Sequence, residues 1–287
     1  MGVKPQVLSA EILNCTRYSE DEGLLEALRA SDEYFSCLPE TFELQFHLDF
    51  SPKGLGGDDN VIMKNLFSEL HGWLGFFIFT NVYKTKHLIQ DIEHGLNDSN
   101  YIRVTSASRT IMENAATINY YNNQLEPLFT STIPDGMNII NLIKILKDYS
   151  LKSRFNWKNY LFDAEFKKNW AEMDENHRQT NVLTMLGKLP QEENAVAFYY
   201  HRLCDFVHPN AASHILYINQ VIKGEEKVTY KLSSNTDAID LLADVIHIIS
   251  VPTKTSLGII MRKIKYLIIQ LNRVELILNQ FKDNEKQ

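Results

Sequence analysis

Between Val61 and Leu96 apolar residues recur at helical spacing, including Ile62, Leu66, Leu70, Leu74, Phe77 and Ile78, and Gly95 stands where such a run would stop. A stripe with that period is one face of a helix, and a helix this long must bury its stripe against others. The sequence supplies them. A second periodic run extends from Tyr101 to Tyr121 and closes in the polar Asn122-Asn123-Gln124, and a third from Asn138 to Ser150 follows the turn signal Pro134-Asp135-Gly136. The short polar connections predict antiparallel neighbours.

After Pro190 a further helix begins, carrying Val196, Phe198, Tyr199 and Leu203, and Pro209 is placed to end it because proline removes a backbone donor and restricts the residue before it. The clearest β signal lies at Tyr217–Ser233, where Lys223-Gly224-Glu225-Glu226 separates two β-prone runs. Two helices, Asp237–Ile249 and Thr255–Phe281, are predicted to close the chain on either side of Ser250-Val251-Pro252. Upstream, residues 1–60 read as a small mixed appendage: a helix at Glu20–Cys37, a strand at Phe42–Phe50, then the glycine-rich loop from Ser51, in which Asp58, Asp59 or Asn60 could cap the next helix. The expected fold class is all-α, a helical bundle core over 61–287 with a small N-terminal appendage and a β-hairpin insertion.

Composition limits what such a core can do. With 287 residues, 44% of them hydrophobic and 23% charged, the chain can build one large core. Its net charge of −7 repels polyanions overall, so any nucleic-acid role needs a local basic patch. Cys15, Cys37 and Cys204 form neither an even set nor a Cys-x-x-Cys motif, which fits a reducing, cytoplasmic setting. The N-terminal segment lacks the apolar core of a signal peptide. The most apolar run, Trp73–Phe79, is far shorter than the roughly 20 residues that cross a bilayer, so no membrane partner is expected.

Two places could carry chemistry. Arg109 and Glu113 lie one turn apart on a common helical face, the spacing of an ordinary ion pair unless another helix brings a further charge against it. Tyr199-Tyr-His-Arg-Leu-Cys-Asp-Phe-Val-His208-Pro209 sets Arg202, Asp205 and His208 among large apolar residues near a helix end. Six residues of ideal helix turn Arg202 and His208 about 120° apart, and a helix end could bring them closer. Histidine moves protons near neutral pH and arginine holds the charge of a phosphate transition state, a pairing suited to metal-independent phosphodiester chemistry. The structural alternative has His208 at the helix C-terminus, favoured by the helix dipole, with Arg202 and Asp205 paired at i, i+3.

Arg109-x3-Glu113 with Tyr120, followed by Tyr200-x-Arg202 and Val207-His208-Pro209, resembles a family of uncharacterised bacterial helical proteins over residues 61–215. Arg202-x5-His208 is also similar to the Arg-x4-6-His motif of the HEPN superfamily, helical domains that often dimerise and act as metal-independent ribonucleases in toxin and phage-defence systems. The resemblance implies that Arg202 and His208 are a catalytic pair, that Arg109 and Glu113 form a supporting charge network, and that RNA, a second copy and an antitoxin or defence component are the partners. Leu203 departs from the polar residue that often follows the motif arginine, and the resemblance leaves open whether Asp205 substitutes for it. The competing expectation is a non-catalytic module that binds a partner protein or small ligand, with Arg109, Glu113, Arg202 and His208 as a buried polar brace.

No cofactor or metal is expected. Phosphate-cradling glycine motifs are missing, Gly54-Leu-Gly-Gly runs into Asp58 and Asp59, and His201, His208 and His214 match no His-Glu-x-x-His pattern. Cys204 reads as a small buried cysteine rather than a nucleophile. The best basic stretch runs from Lys144 to Lys168, where Lys152, Arg154 and Lys158 alternate with aromatics in a pattern able to bind single-stranded RNA, though Asp148, Asp163 and Glu165 dilute it and favour a solvated helical face with its aromatics turned inward.

Overall fold

The computed structural model describes residues 22–43, 59–98, 100–129, 135–151, 180–208, 214, 217–232 and 239–284. Among these residues the protein is all-α with one β-hairpin, as its periodicities predict. Seven helices are described: α1 Glu22–Ser36, α2 Asp59–Asn97, α3 Tyr101–Leu125, α4 Gly136–Leu151, α5 Val182–Leu186, α6 Asn194–Val207 and α7 Ile239–Asn284. No helix of the described residues is long and apolar enough to cross a membrane.

Local chemistry explains most boundaries. The Asp135 carboxylate accepts from the Asn138 amide at 2.8 Å, an N-cap that starts α4 at Gly136. Asn181 does the same for the short α5, which the periodicity does not predict, accepting from the Leu183 amide at 3.0 Å. Helix α3 passes through the polar trio expected to end it. Tyr121, Asn122 and Leu125 are buried there, and the Asn122 side chain donates to Glu126 at 3.3 Å, so the helix stops only at Leu125, where a 3-10 turn over Glu126–Phe129 takes over.

The largest correction concerns the C-terminal region. In place of two helices separated at Ser250-Val251-Pro252, α7 runs unbroken with Pro252 inside it. A helix-interior proline costs about 3 kcal/mol. Ile249, Leu257, Ile259 and Ile260 flank it and are buried. At about 1.5–3 kcal/mol for each buried side chain, tertiary burial exceeds that cost.

The chain divides into two compact units. The first comprises the described residues within Met1–Leu38, Val82–Thr117 and Leu186–Met261. In it Ser31 of α1 donates to the Met261 sulfur of α7, and the Asn114 amide of α3 donates to the buried Thr85 hydroxyl of α2 at 2.8 Å. Gly95 lets α3 approach closely: a Cβ there would stand 2.7 Å from Val104 Cγ2. Leu24, Leu28, Phe35, Ile92, Ile111 and Leu203 are among its core residues.

The second unit comprises the described residues within Pro39–Asn81, Ile118–Met185 and Arg262–Gln287. Phe77 meets the rings of Tyr121 and Tyr149 edge-on, and the Tyr149 hydroxyl donates to Asn81 Oδ1 at 3.1 Å. Glu69 is buried and receives Trp73 Nε1 at 2.9 Å and Lys147 Nζ at 3.4 Å. Phe42 stacks on Phe79 with ring centroids 4.1 Å apart. Residues 41–43 form neither helix nor strand, and the remainder of the expected strand, 44–50, lies outside the described residues.

The hairpin pairs β1 Ile218–Lys223 with β2 Val228–Leu232 in antiparallel register, Val221 opposite Tyr230 and Ile218 opposite Leu232. A bulge between Ile218 and Gln220 shifts the alternation. It thereby gathers Ile218, Val221, Val228, Tyr230 and Leu232 on one face, and all but the half-buried Ile218 are exposed there.

Candidate functional site

The phase of α6 sorts the residues of the Tyr199–His208 segment. Val196, Tyr200 and Leu203, at i, i+4 and i+7, form its buried stripe, while Phe198, His201, Arg202, Asp205 and His208 are exposed. Tyr200 and Arg202 are two residues apart, about 200° around the helix, and so face opposite ways.

On the inward side Tyr200 meets the Arg109–Glu113 pair of α3. Arg109 Nη2 lies 3.1 Å from Glu113 Oε1, the i, i+4 ion pair that the spacing predicts. Arg109 Nη2 also donates to the Tyr200 hydroxyl at 3.2 Å, and that hydroxyl donates onward to Glu113 Oε1 at 2.8 Å. The three groups close a ring of charge-assisted contacts, with the guanidinium carbon 5.3 Å from the Tyr200 ring centre.

The electrostatics follow from this closure. Burial, supported by Glu113 and opposed by Arg109, pushes the Tyr200 hydroxyl up to about 12. Desolvation works against the Arg109 charge, but the Tyr200 hydroxyl and the Glu113 carboxylate outweigh it and hold the guanidinium above its ordinary pKa. Lys84 of α2 stands near enough to interact with Glu113; desolvation lowers its pKa and the carboxylate partly restores it. The shifts at Tyr200 and Arg109 protect the ionisation states present at neutral pH, whereas burial works against the Lys84 ammonium, so the ring itself is arranged to hold still rather than to exchange protons. Its role is to tie α6 to α3.

On the outward side, the Arg202 guanidinium lies over the Phe198 ring, 4.6 Å from its centre. It points back one turn toward the helix N-terminus, as helical side chains tend to. His208 is the C-cap of α6, with φ −81° and ψ 149°, and its backbone amide donates to the Cys204 carbonyl at 3.0 Å. The helix stays regular through Val207, so Arg202 and His208 keep the angular separation of an ideal helix, and the His208 side chain is exposed. Asp205, also exposed, lies between them in sequence.

Arg109 and Glu113 are thus brought together with Tyr200, and the helix turns Arg202, Asp205 and His208 to its other side. Lys152, Arg154, Lys158 and Pro209 lie outside the described residues. Of the basic stretch, Lys147 is bound to Glu69 and its ammonium sits 5.4 Å from the Trp73 ring centre. Among the described residues no three His, Cys, Asp or Glu side chains gather where they could hold a metal ion. Lys84 escapes sequence reasoning because nothing local marks it. Tyr200 could have been found: its four-residue spacing from Val196 and three-residue spacing to Leu203 place it on the buried stripe, where a tyrosine hydroxyl requires a partner.

Compared with known proteins, the chain matches no family model, no curated protein and no solved structure.

Proposed function

We propose that the protein is a metal-independent endoribonuclease whose acid–base and phosphate-holding groups are His208 and Arg202. The observation that carries this reading is that both side chains are solvent-exposed on α6, while the inward face of the same helix is anchored by Tyr200 to Arg109 and Glu113. A structural brace would have buried and saturated Arg202 and His208. An imidazole open to solvent on a fixed helix end is available to a substrate.

In this reaction an RNA 2′-hydroxyl attacks the neighbouring phosphorus, the bond to the 5′-oxygen breaks, and a cyclic phosphate and a 5′-hydroxyl form. One imidazole accepts the 2′ proton and a protonated one returns a proton to the leaving oxygen, while Arg202 holds the charge on the pentavalent intermediate. Two imidazoles are supplied most simply by two copies of the chain, so a homodimer belongs to the proposal. In this reading Asp205, three residues before His208, orients its ring. An effector of this kind would act in a toxin or defence system, under the control of an antitoxin or another component.

A second reading, a non-catalytic module that binds a partner protein, is favoured by the hairpin face on which Val221, Val228, Tyr230 and Leu232 are exposed together. One experiment separates the two. Purified protein is given labelled RNA in EDTA, alongside His208→Ala and Arg202→Ala variants whose circular dichroism matches that of the wild type. The ribonuclease reading expects cyclic-phosphate products from the wild type and a loss of about 10²–10⁴-fold in each variant. The absence of cleavage across structured and unstructured RNAs, or full activity in both variants, would overturn it in favour of partner binding.

A further inference from the structure

We propose that Phe198 is a stacking platform for one unpaired nucleobase of a single-stranded RNA, next to the phosphate held by Arg202. This inference rests on the ribonuclease reading and names how its substrate is gripped. Phe198 is 56% exposed on α6, although a helix of this length has an inward stripe, at Val196, Tyr200 and Leu203, on which an aromatic ring could have been buried. Its neighbour Tyr199 is half-buried and meets the Phe198 ring edge-on with centroids 5.3 Å apart, Phe206 is half-buried, and Tyr200 is committed to Arg109 and Glu113, so Phe198 is the most exposed aromatic ring of α6.

The geometry around it fits a nucleotide. The Arg202 guanidinium lies 4.6 Å from the ring centre, covering one side of the aromatic system. A guanidinium laid against a ring keeps its in-plane N–H donors free, and these suit a phosphate oxygen. Along the helix, Phe198 precedes Arg202 by about 6 Å of rise, and Arg202 precedes His208 by about 9 Å. The order along the helix is therefore a base platform, a phosphate clamp and a proton-moving group, each exposed, with His208 turned about 120° around the axis from Arg202. Stacking is indifferent to base identity, so the class of ligand is unpaired RNA of any sequence, with purines preferred for their larger face. Duplex RNA, whose bases are already stacked, would be excluded.

The test separates binding from cleavage. In a His208→Ala background, which leaves the RNA intact, the affinity for a fluorescein-labelled oligoadenylate is measured by anisotropy with Phe198, Phe198→Leu or Phe198→Trp, across a range of salt concentrations. Leucine keeps apolar cover but has no π-face. The expected result is that Phe198→Leu weakens binding about tenfold or more with an unchanged salt slope, that Phe198→Trp keeps the affinity, and that the same RNA in a duplex binds poorly to all three. Equal affinity of the leucine and phenylalanine proteins would overturn the platform, and if the wild type still cleaves RNA the ribonuclease reading survives that result. Failure of the wild type to bind or cleave any single-stranded RNA would overturn both.

Discussion

Replacing Tyr200 with phenylalanine removes one oxygen and nothing else, which makes it the sharpest probe of how α6 is held. The ring keeps its buried position and its contact with the Arg109 guanidinium, so packing is unchanged. Two hydrogen bonds to charged partners disappear, the 3.2 Å bond from Arg109 and the 2.8 Å bond to Glu113. Bonds to charged groups contribute about 1.5–3 kcal/mol each when nothing replaces them. Here the loss is smaller, because Arg109 and Glu113 retain each other at 3.1 Å and their side chains are 23% and 30% exposed, open enough for water to take up the freed valences. The expected destabilisation is about 1–2 kcal/mol. In urea, with a slope of about 3 kcal/mol/M for a chain of this size, the unfolding midpoint falls by about 0.5 M while the slope stays constant. A double-mutant cycle with Glu113→Gln should return a coupling of about 1 kcal/mol, since the two side chains share one hydrogen bond. Midpoints that coincide for wild type and variant, or a coupling indistinguishable from zero, would refute the account of the ring as the tie between α6 and α3.

Two further outcomes follow from other parts of the structure. Gly95→Ala gains about 1 kcal/mol of helix propensity but places a Cβ 2.7 Å from Val104 Cγ2 and 3.1 Å from the Val104 backbone nitrogen, an overpacking that costs about 1–3 kcal/mol; thermal unfolding should therefore occur at a lower temperature, and a higher one would contradict the close approach of α3. Tyr121 and Tyr200 are both raised to about 12, chiefly by burial, so the folded state keeps protons that the unfolded chain, titrating near 10, would lose. Their contribution to stability is intact below about pH 10 and falls as the pH rises toward 12. Phenolate absorbance should show these two ionising last and together with unfolding, and their titration near pH 10 in an intact fold would count against their burial.

What the sequence made legible was decided by how local the physics is. The stripes of α2 and α4 and the hairpin are periodic signals that owe little to distant residues, and their ends fall within a few positions of those expected. Pro252 and the Asn122-Asn123-Gln124 trio misled for one reason. Each is a local breaker, and each is overruled by buried neighbours such as Ile249 and Leu257 around the proline, or Tyr121 and Leu125 around the asparagines, which no window of sequence can weigh. The ion pair of Arg109 and Glu113 was legible because it sits on one helix. Its completion by a ring 87 residues away was not.

The same helical arithmetic explains why four candidate polar residues do not form one network. A brace uniting Arg109, Glu113, Arg202 and His208 would need α6 to present Arg202 and His208 on the side already filled by Val196, Tyr200 and Leu203. Rotating the helix to do so would expose those three side chains and bury a guanidinium and an imidazole, at several kcal/mol for each unpaired charge. The chain instead separates the tasks by phase. Tyr200 fixes where α6 lies, and Arg202 and His208 are exposed to solvent away from that contact. Arg109 and Glu113 are on this argument positioning residues, acting on the outward face only through the placement of the helix. Loss of the Tyr200 hydroxyl should then disturb that face in proportion to how far α6 shifts, whereas under the proposed ribonuclease reaction loss of the His208 imidazole would remove a reacting group outright.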